Sequence, residues 1–218
     1  MREFGHIYLS WRRGPGHRRF IVGVIKSSAT GGTTFSYRSK EIELAKAQGF
    51  SAYTEFPELD KIYTENVLEV FGQRIIKSER QDISAFLDFW EIDYKYKEEK
   101  LYLLAHTMGL VPTDNFELLA DFHPVKNLCF ITDLAAVSHL KLSTDLLTIE
   151  DELRFEKEPE NDYDKYAVKI FRGEHQIGYV KKVHSKIFYS KRSEKLKLQV
   201  KALEKNGTIK KIFIKIYF

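Results

Sequence analysis

The sequence predicts an α+β fold in two modules: a small β-rich N-terminal module with short helices, then a helical joint, then a C-terminal domain of short strands. Three observations carry this. The chain has 218 residues and 43% apolar content, more than one small domain needs and enough for two small cores. Strand-like runs bounded by turn residues occupy both ends. Between them, apolar residues recur at helical spacing. The expected divisions are 1–95, 96–121 and 122–218.

In the first module, residues 7–11 and 20–25 are β-rich runs separated by Arg12, Arg13, Gly14, Pro15, Gly16, His17, Arg18 and Arg19, whose Gly-Pro-Gly centre interrupts regular structure. They read as a hairpin with a basic tip. A turn at Gly31-Gly32 leads to a third strand over 33–37 with alternating aromatics. Residues 39–48 place Ile42, Leu44, Ala45 and Ala47 among charges and meet Gly49, which predicts a short helix. Residues 66–71 are apolar and compatible with either helix or strand.

The middle is helical in pattern. Ile83, Phe86, Leu87 and Trp90 share one helical face, residues 101–108 form a second apolar helix closing on Gly109, and residues 116–120 read as another short helix. Beyond Pro124, strand signals return at 128–131, 153–156, 167–171, 176–180, 196–203 and 209–218. The last two flank Asn206-Gly207, a strong hairpin signal because the turn asks for positive φ. Ile212, Ile214, Ile216 and Phe218 alternate onto one face, with Lys211 and Lys215 on the other. Such spacing fits a small barrel or sandwich.

Charge is uneven although the net value is only +4. Residues 1–26 carry six Lys/Arg against one Glu, and residues 181–218 carry twelve against two, which leaves 27–180 at −11. Basic ends suit a phosphate-binding surface, and they suit rather better lysines that solubilise strand faces and guard sheet edges. Cys129 is the single cysteine, so no internal disulfide forms, and no apolar run approaches the roughly 20 residues of a membrane span. The expectation is a cytoplasmic protein without a membrane partner.

The segment Leu153-Arg154-Phe155-Glu156-Lys157-Glu158-Pro159-Glu160-Asn161-Asp162-Tyr163-Asp164-Lys165-Tyr166-Ala167-Val168-Lys169-Ile170, followed by Gln176-Ile177-Gly178-Tyr179-Val180-Lys181-Lys182, resembles the HIRAN signature in residue type and spacing, over roughly residues 122–190. That family has an apolar strand, a Glu-Pro-x-Asn-x-x-Asp turn, an Ala-Val/Ile strand and a short hairpin. Read from its residues alone, the turn has a structural explanation: Pro159 fixes φ, while Asn161, Asp162 and Asp164 accept backbone N–H groups. Gly178 likewise suits a close approach of two backbones. The resemblance adds an OB-like β-barrel and, in members attached to DNA translocases, a pocket for the 3′ end of a single DNA strand. It implies Tyr163 as a base-stacking surface, Asp164 as acceptor for a terminal hydroxyl, Asn161 as a further nucleic-acid-binding residue of the turn, and Lys181 or Lys182 at phosphate. End-binding members also carry an Arg with aromatics on the first strand. The corresponding stretch here, 131–139, has neither Arg nor Tyr, so the resemblance carries the fold further than the ligand.

In the first half, Thr34-Phe35-Ser36-Tyr37, Gly49-Phe50, Phe56-Pro57-Glu58-Leu59, Tyr63 and the run from Leu68 through Ile75 resemble the small N-terminal subdomain of HipA-type toxin kinases. A Gly-rich loop with a strand lysine, His-Arg-Asp and Asp-Phe-Gly are all missing, so no kinase core is present and no cofactor is implied. The scattered histidines lack metal spacing, and the carboxylates of 158–164 lack the Asp/Glu-x-Lys of a metal nuclease.

Two functions follow for a non-catalytic chain. The first is an antitoxin or regulatory subunit of a HipA-like kinase encoded nearby, with Trp11 as a partner anchor. The alternative is a single-stranded nucleic-acid-binding protein using Tyr163, Asp164, the basic Arg12, Arg13, Arg18 and Arg19 loop, and the C-terminal lysines.

Overall fold

In the computed structural model, which describes residues 3–218, the backbone divides between Asp121 and Phe122 into two units, the second of which includes Glu3. The β-branched and aromatic runs at the N-terminus form β1 (Phe4–Trp11), β2 (Phe20–Ser28) and β3 (Gly32–Tyr37). They are followed by α1 (Ser39–Lys46), the short β4 (Ile62–Tyr63), α2 (Val67–Gly72), α3 (Ile83–Phe89), α4 (Lys100–Thr107) and β5 (Phe116–Phe122). The sheet runs β4-β3-β2-β1-β5.

Two expectations are settled here. The run at 66–71 becomes helix α2 from Val67 onward, because Val67 and Phe71 fall on one face and both bury. The helix expected at 116–120 is instead strand β5. Residues 117–120 are all buried, and an apolar run buried on both sides looks alike for a short helix and an inner strand until its partner is known. The partner is β1, about a hundred residues earlier in the chain. Residues 96–121, expected as a joint, thus lie within the first unit.

Phe35 is fully buried at the centre of this unit, with Tyr37, Phe56 and Phe71 at ring-centroid distances of 4.8, 5.0 and 5.2 Å. Arg74 fixes the loops around that core. Its Nη1 and Nη2 donate to Asp114 Oδ2 and Oδ1 at 2.6 and 2.9 Å, Nε donates to the Gly109 carbonyl at 2.8 Å, and Nη2 also reaches the Phe116 carbonyl at 3.1 Å. One guanidinium thereby satisfies the chain that leaves α4 and enters β5.

The second unit contains β6 (Cys129–Asp133), α5 (Val137–Leu140), β7 (Glu152–Glu158), β8 (Ala167–Arg172), β9 (His175–Tyr179), α6 (Lys182–Ser185), β10 (Lys197–Asn206) and β11 (Thr208–Tyr217). All pairings are antiparallel, in the order β6-β11-β10-β7-β8-β9. Ile212, Ile214 and Ile216 are fully buried, as the alternation predicts, but Phe213 on the other face is buried as well. In the β10–β11 turn only Gly207 takes a positive φ, +68°; Asn206 does not, and a register shift at Glu204/Lys205 absorbs the difference.

The expected barrel does not close as a continuous ladder. The sheet's two ends meet at one isolated bridge, where Ala135 N–H donates to the Tyr179 carbonyl at 2.8 Å and Tyr179 N–H returns a bond to Ala135 at 3.0 Å. Gly178 permits this: its φ is +153°, and a Cβ there would lie 2.8 Å from the Ala135 carbonyl oxygen.

Gly178→Ala is expected to destabilise the second unit by about 2–4 kcal/mol, since backbone strain and a backbone clash coincide; urea unfolding followed by circular dichroism measures it. Arg74→Ala is expected to cost the first unit about 3 kcal/mol by stranding Asp114 and two carbonyls, and Arg74→Lys should recover little because an ammonium lacks the guanidinium fork. The same unfolding curves decide both.

Candidate nucleic-acid interface

The connection between β7 and β8 is built by its own side chains. Strand pairing ends at Glu158↔Ala167, so residues 159–166 must reverse the chain. Asn161 Oδ1 accepts from the N–H groups of Tyr163 and Asp164 at 3.0 and 3.1 Å, and its Nδ2 donates to Glu158 Oε2 at 2.8 Å. Asp164 Oδ1 then accepts from Tyr166 N–H at 3.0 Å, and its carbonyl from Ala167 N–H at 2.8 Å. Two successive Asx turns therefore rigidify the loop without help from the rest of the chain. The turn leaves Asp164 Oδ2 unused. Tyr163, on this fixed frame, is 82% exposed.

Glu158 anchors the start of the turn. Its carboxylate pairs with Lys169, accepts from Asn161 and accepts from the Tyr179 hydroxyl. The Lys169 bond holds the Glu158 carboxyl below its ordinary range, and Glu158 in turn raises Lys169. At the far end, the Tyr189 hydroxyl donates to the Ala167 carbonyl at 3.0 Å; burial pushes this phenol up, and the charges of Asp164 and Glu158 add to the effect.

The other predicted residues are distributed differently. Lys181 is 1% exposed and ion-paired with Asp133 in the core, so it is removed from the expected phosphate contacts. The sheet's closing bridge carries the chain inward there, and Asp133 supplies the countercharge that makes burial of an ammonium tolerable. Next to it His184 Nδ1 lies 3.0 Å from Thr132 Oγ1. Lys182, one residue on, is exposed.

Arg12, Arg13, Arg18 and Arg19 belong to the first unit, on the β1–β2 connection. Arg19 is half-buried and paired with Glu117, and Arg18 lies over the Phe20 ring at 5.2 Å. The Arg12 N–H donates to the Asn115 carbonyl and Asn115 Nδ2 to the Arg13 carbonyl, both at 3.3 Å. Trp11, expected as a partner anchor, is 8% exposed and packs on Phe20 and Phe50. Its strand position, opposite Phe20, turns it into the core. Sequence reasoning missed Lys169, Tyr179 and Tyr189 as supports of the turn. The first two sit within the quoted signature, but only strand register shows that they reach Glu158; Tyr189 is too distant in sequence to carry a signal.

Residues 127–214 match the family model described as HIRAN domain. A search of curated proteins gives no match. Among solved structures, the chain is similar to the crystal structure of the HIRAN domain of human HLTF, at 15% identity over 41% of this chain and 74% of that one, with a TM-score of 0.33. The family match lies in the second half and lends no support to the kinase-subdomain resemblance of the first. Among the described residues no helix is long and apolar enough to cross a membrane.

The depressed Glu158 carboxyl gives a pH dependence with a definite sign. Its contribution is fully present above the ordinary value of 4.5 and is lost as pH falls through the lower folded value. Glu158→Gln should therefore be less stable than the parent by up to about 1 kcal/mol near neutral pH, with the gap closing in acid. Paired urea titrations across that range test this.

Proposed function

We propose that the second unit holds the end of a single DNA strand, with no chemical step of its own. Tyr163 is the base-stacking surface, Asp164 Oδ2 the acceptor for the terminal hydroxyl, and Lys182 a phosphate contact. The observation that carries the reading is the 82% exposed Tyr163 ring on a turn locked by Asn161. A ring whose backbone is already fixed forfeits little entropy when a base stacks on it. The HIRAN match supports the same ligand class. With Lys181 engaged by Asp133, the phosphate role passes to its exposed neighbour. The kinase-partner reading loses its anchor, because Trp11 is core.

Fluorescence anisotropy with labelled oligonucleotides tests this. Tyr163→Ala should weaken single-strand binding by about 1–3 kcal/mol, and unchanged affinity would remove Tyr163 from the site. A 3′-phosphate should bind more weakly than a 3′-hydroxyl; equal binding rejects the role of Asp164.

A further inference from the structure

Beyond the turn, a second set of aromatic and cationic groups continues along the same unit. Tyr166 begins it: its N–H is bound by Asp164 Oδ1, so its ring stands at the exit of the turn. The Tyr166 and Tyr189 ring centroids are 5.2 Å apart with planes at 82°, which forms a corner. A flat base can lie against one ring with its edge toward the other. Both rings are half-buried, and the Tyr189 hydroxyl bond to Ala167 fixes the second.

Each ring has its own ammonium. Lys165 Nζ lies 5.2 Å from the Tyr166 centroid and Lys157 Nζ 5.5 Å from that of Tyr189, and both lysines are exposed. Lys157 Nζ is further steadied by Ser193 Oγ at 3.2 Å. An exposed cation–π contact is worth only about 0.5–1 kcal/mol, so these ammonium groups can turn to a phosphate at small cost. Alternating rings and cations are what an unpaired strand requires: a face for each base and a charge for each phosphate.

We infer that Tyr166, Tyr189, Lys157 and Lys165 form a second nucleotide subsite, which receives the part of a single strand on the 5′ side of the terminal nucleotide at Tyr163. This rests on the end-binding reading. The Asp164 and Glu158 carboxylates near the Tyr189 hydroxyl disfavour phosphate there and direct the backbone to the lysine side.

The test uses the full chain and a fluorescent oligothymidylate of about eight nucleotides with a free 3′-hydroxyl. Tyr189→Leu and Lys157→Gln are each expected to weaken binding roughly 5-fold or more. Lys157→Gln should also lower the slope of log affinity against log salt by about 0.7, as expected for one lost phosphate contact on a single strand. Lys157→Arg should keep that slope. Because Lys157 is a surface residue, its variant keeps the test valid if Tyr189→Leu folds poorly, which circular dichroism reports. If Tyr163→Ala weakens binding while Lys157→Gln and a folded Tyr189→Leu match the parent, the second subsite is rejected and end binding stands. If the parent binds no single strand, both are rejected.

Discussion

The approach of Gly178 to the carbonyl of Ala135 is the contact on which the second unit's arrangement hangs. A Cβ at that position would sit 2.8 Å from the carbonyl oxygen, so only glycine lets the last strand of the sheet meet the segment that follows its first. The bridge sets where the next residues go. Tyr179 delivers its hydroxyl to Glu158 at the root of the turn, and two residues later Lys181 is carried into the core opposite Asp133. One backbone contact thus supports the turn and withdraws a lysine from the surface.

The turn obeys a different economy. Asn161 and Asp164 each cap N–H groups within three residues, so its shape is written in a short stretch and needs only the flanking strands to hold its ends. Tertiary contacts then add what local bonds cannot: Lys169 and Tyr179 on Glu158, and Tyr189 on Ala167. Rigid support from several strands under an exposed ring is the arrangement that binding sites on loops generally require.

The first unit shows the same division between local and distant control. Its strands and helices follow the spacing of apolar residues, except that the run leading into α2 fits helix or strand alike and β5 reads as a helix. Residues 116–120 carry no periodic signal, because both faces of that strand bury; pairing with β1 and the Arg74 bond to the Phe116 carbonyl decide its state. Trp11 and Lys181 are buried against expectation for one shared reason. Residue type gives the average exposure of a tryptophan beside a basic loop or of a lysine in a basic tail, whereas burial depends on a partner far along the chain: Phe50 for Trp11 and Asp133 for Lys181.

Sequence alone therefore determined the strand-turn-strand signature around Asn161 and Asp164, the alternation of β11, and the helices at 39–46, 83–89 and 100–107, since each rests on interactions within a few residues or on a fixed period. The tertiary structure decided which charges are available, whether the sheet closes, and which side chains gather around the turn. Those depend on contacts made between strands and with elements far along the chain, such as Gly178 with Ala135, Tyr189 with Ala167 and Lys181 with Asp133, and no local pattern encodes them.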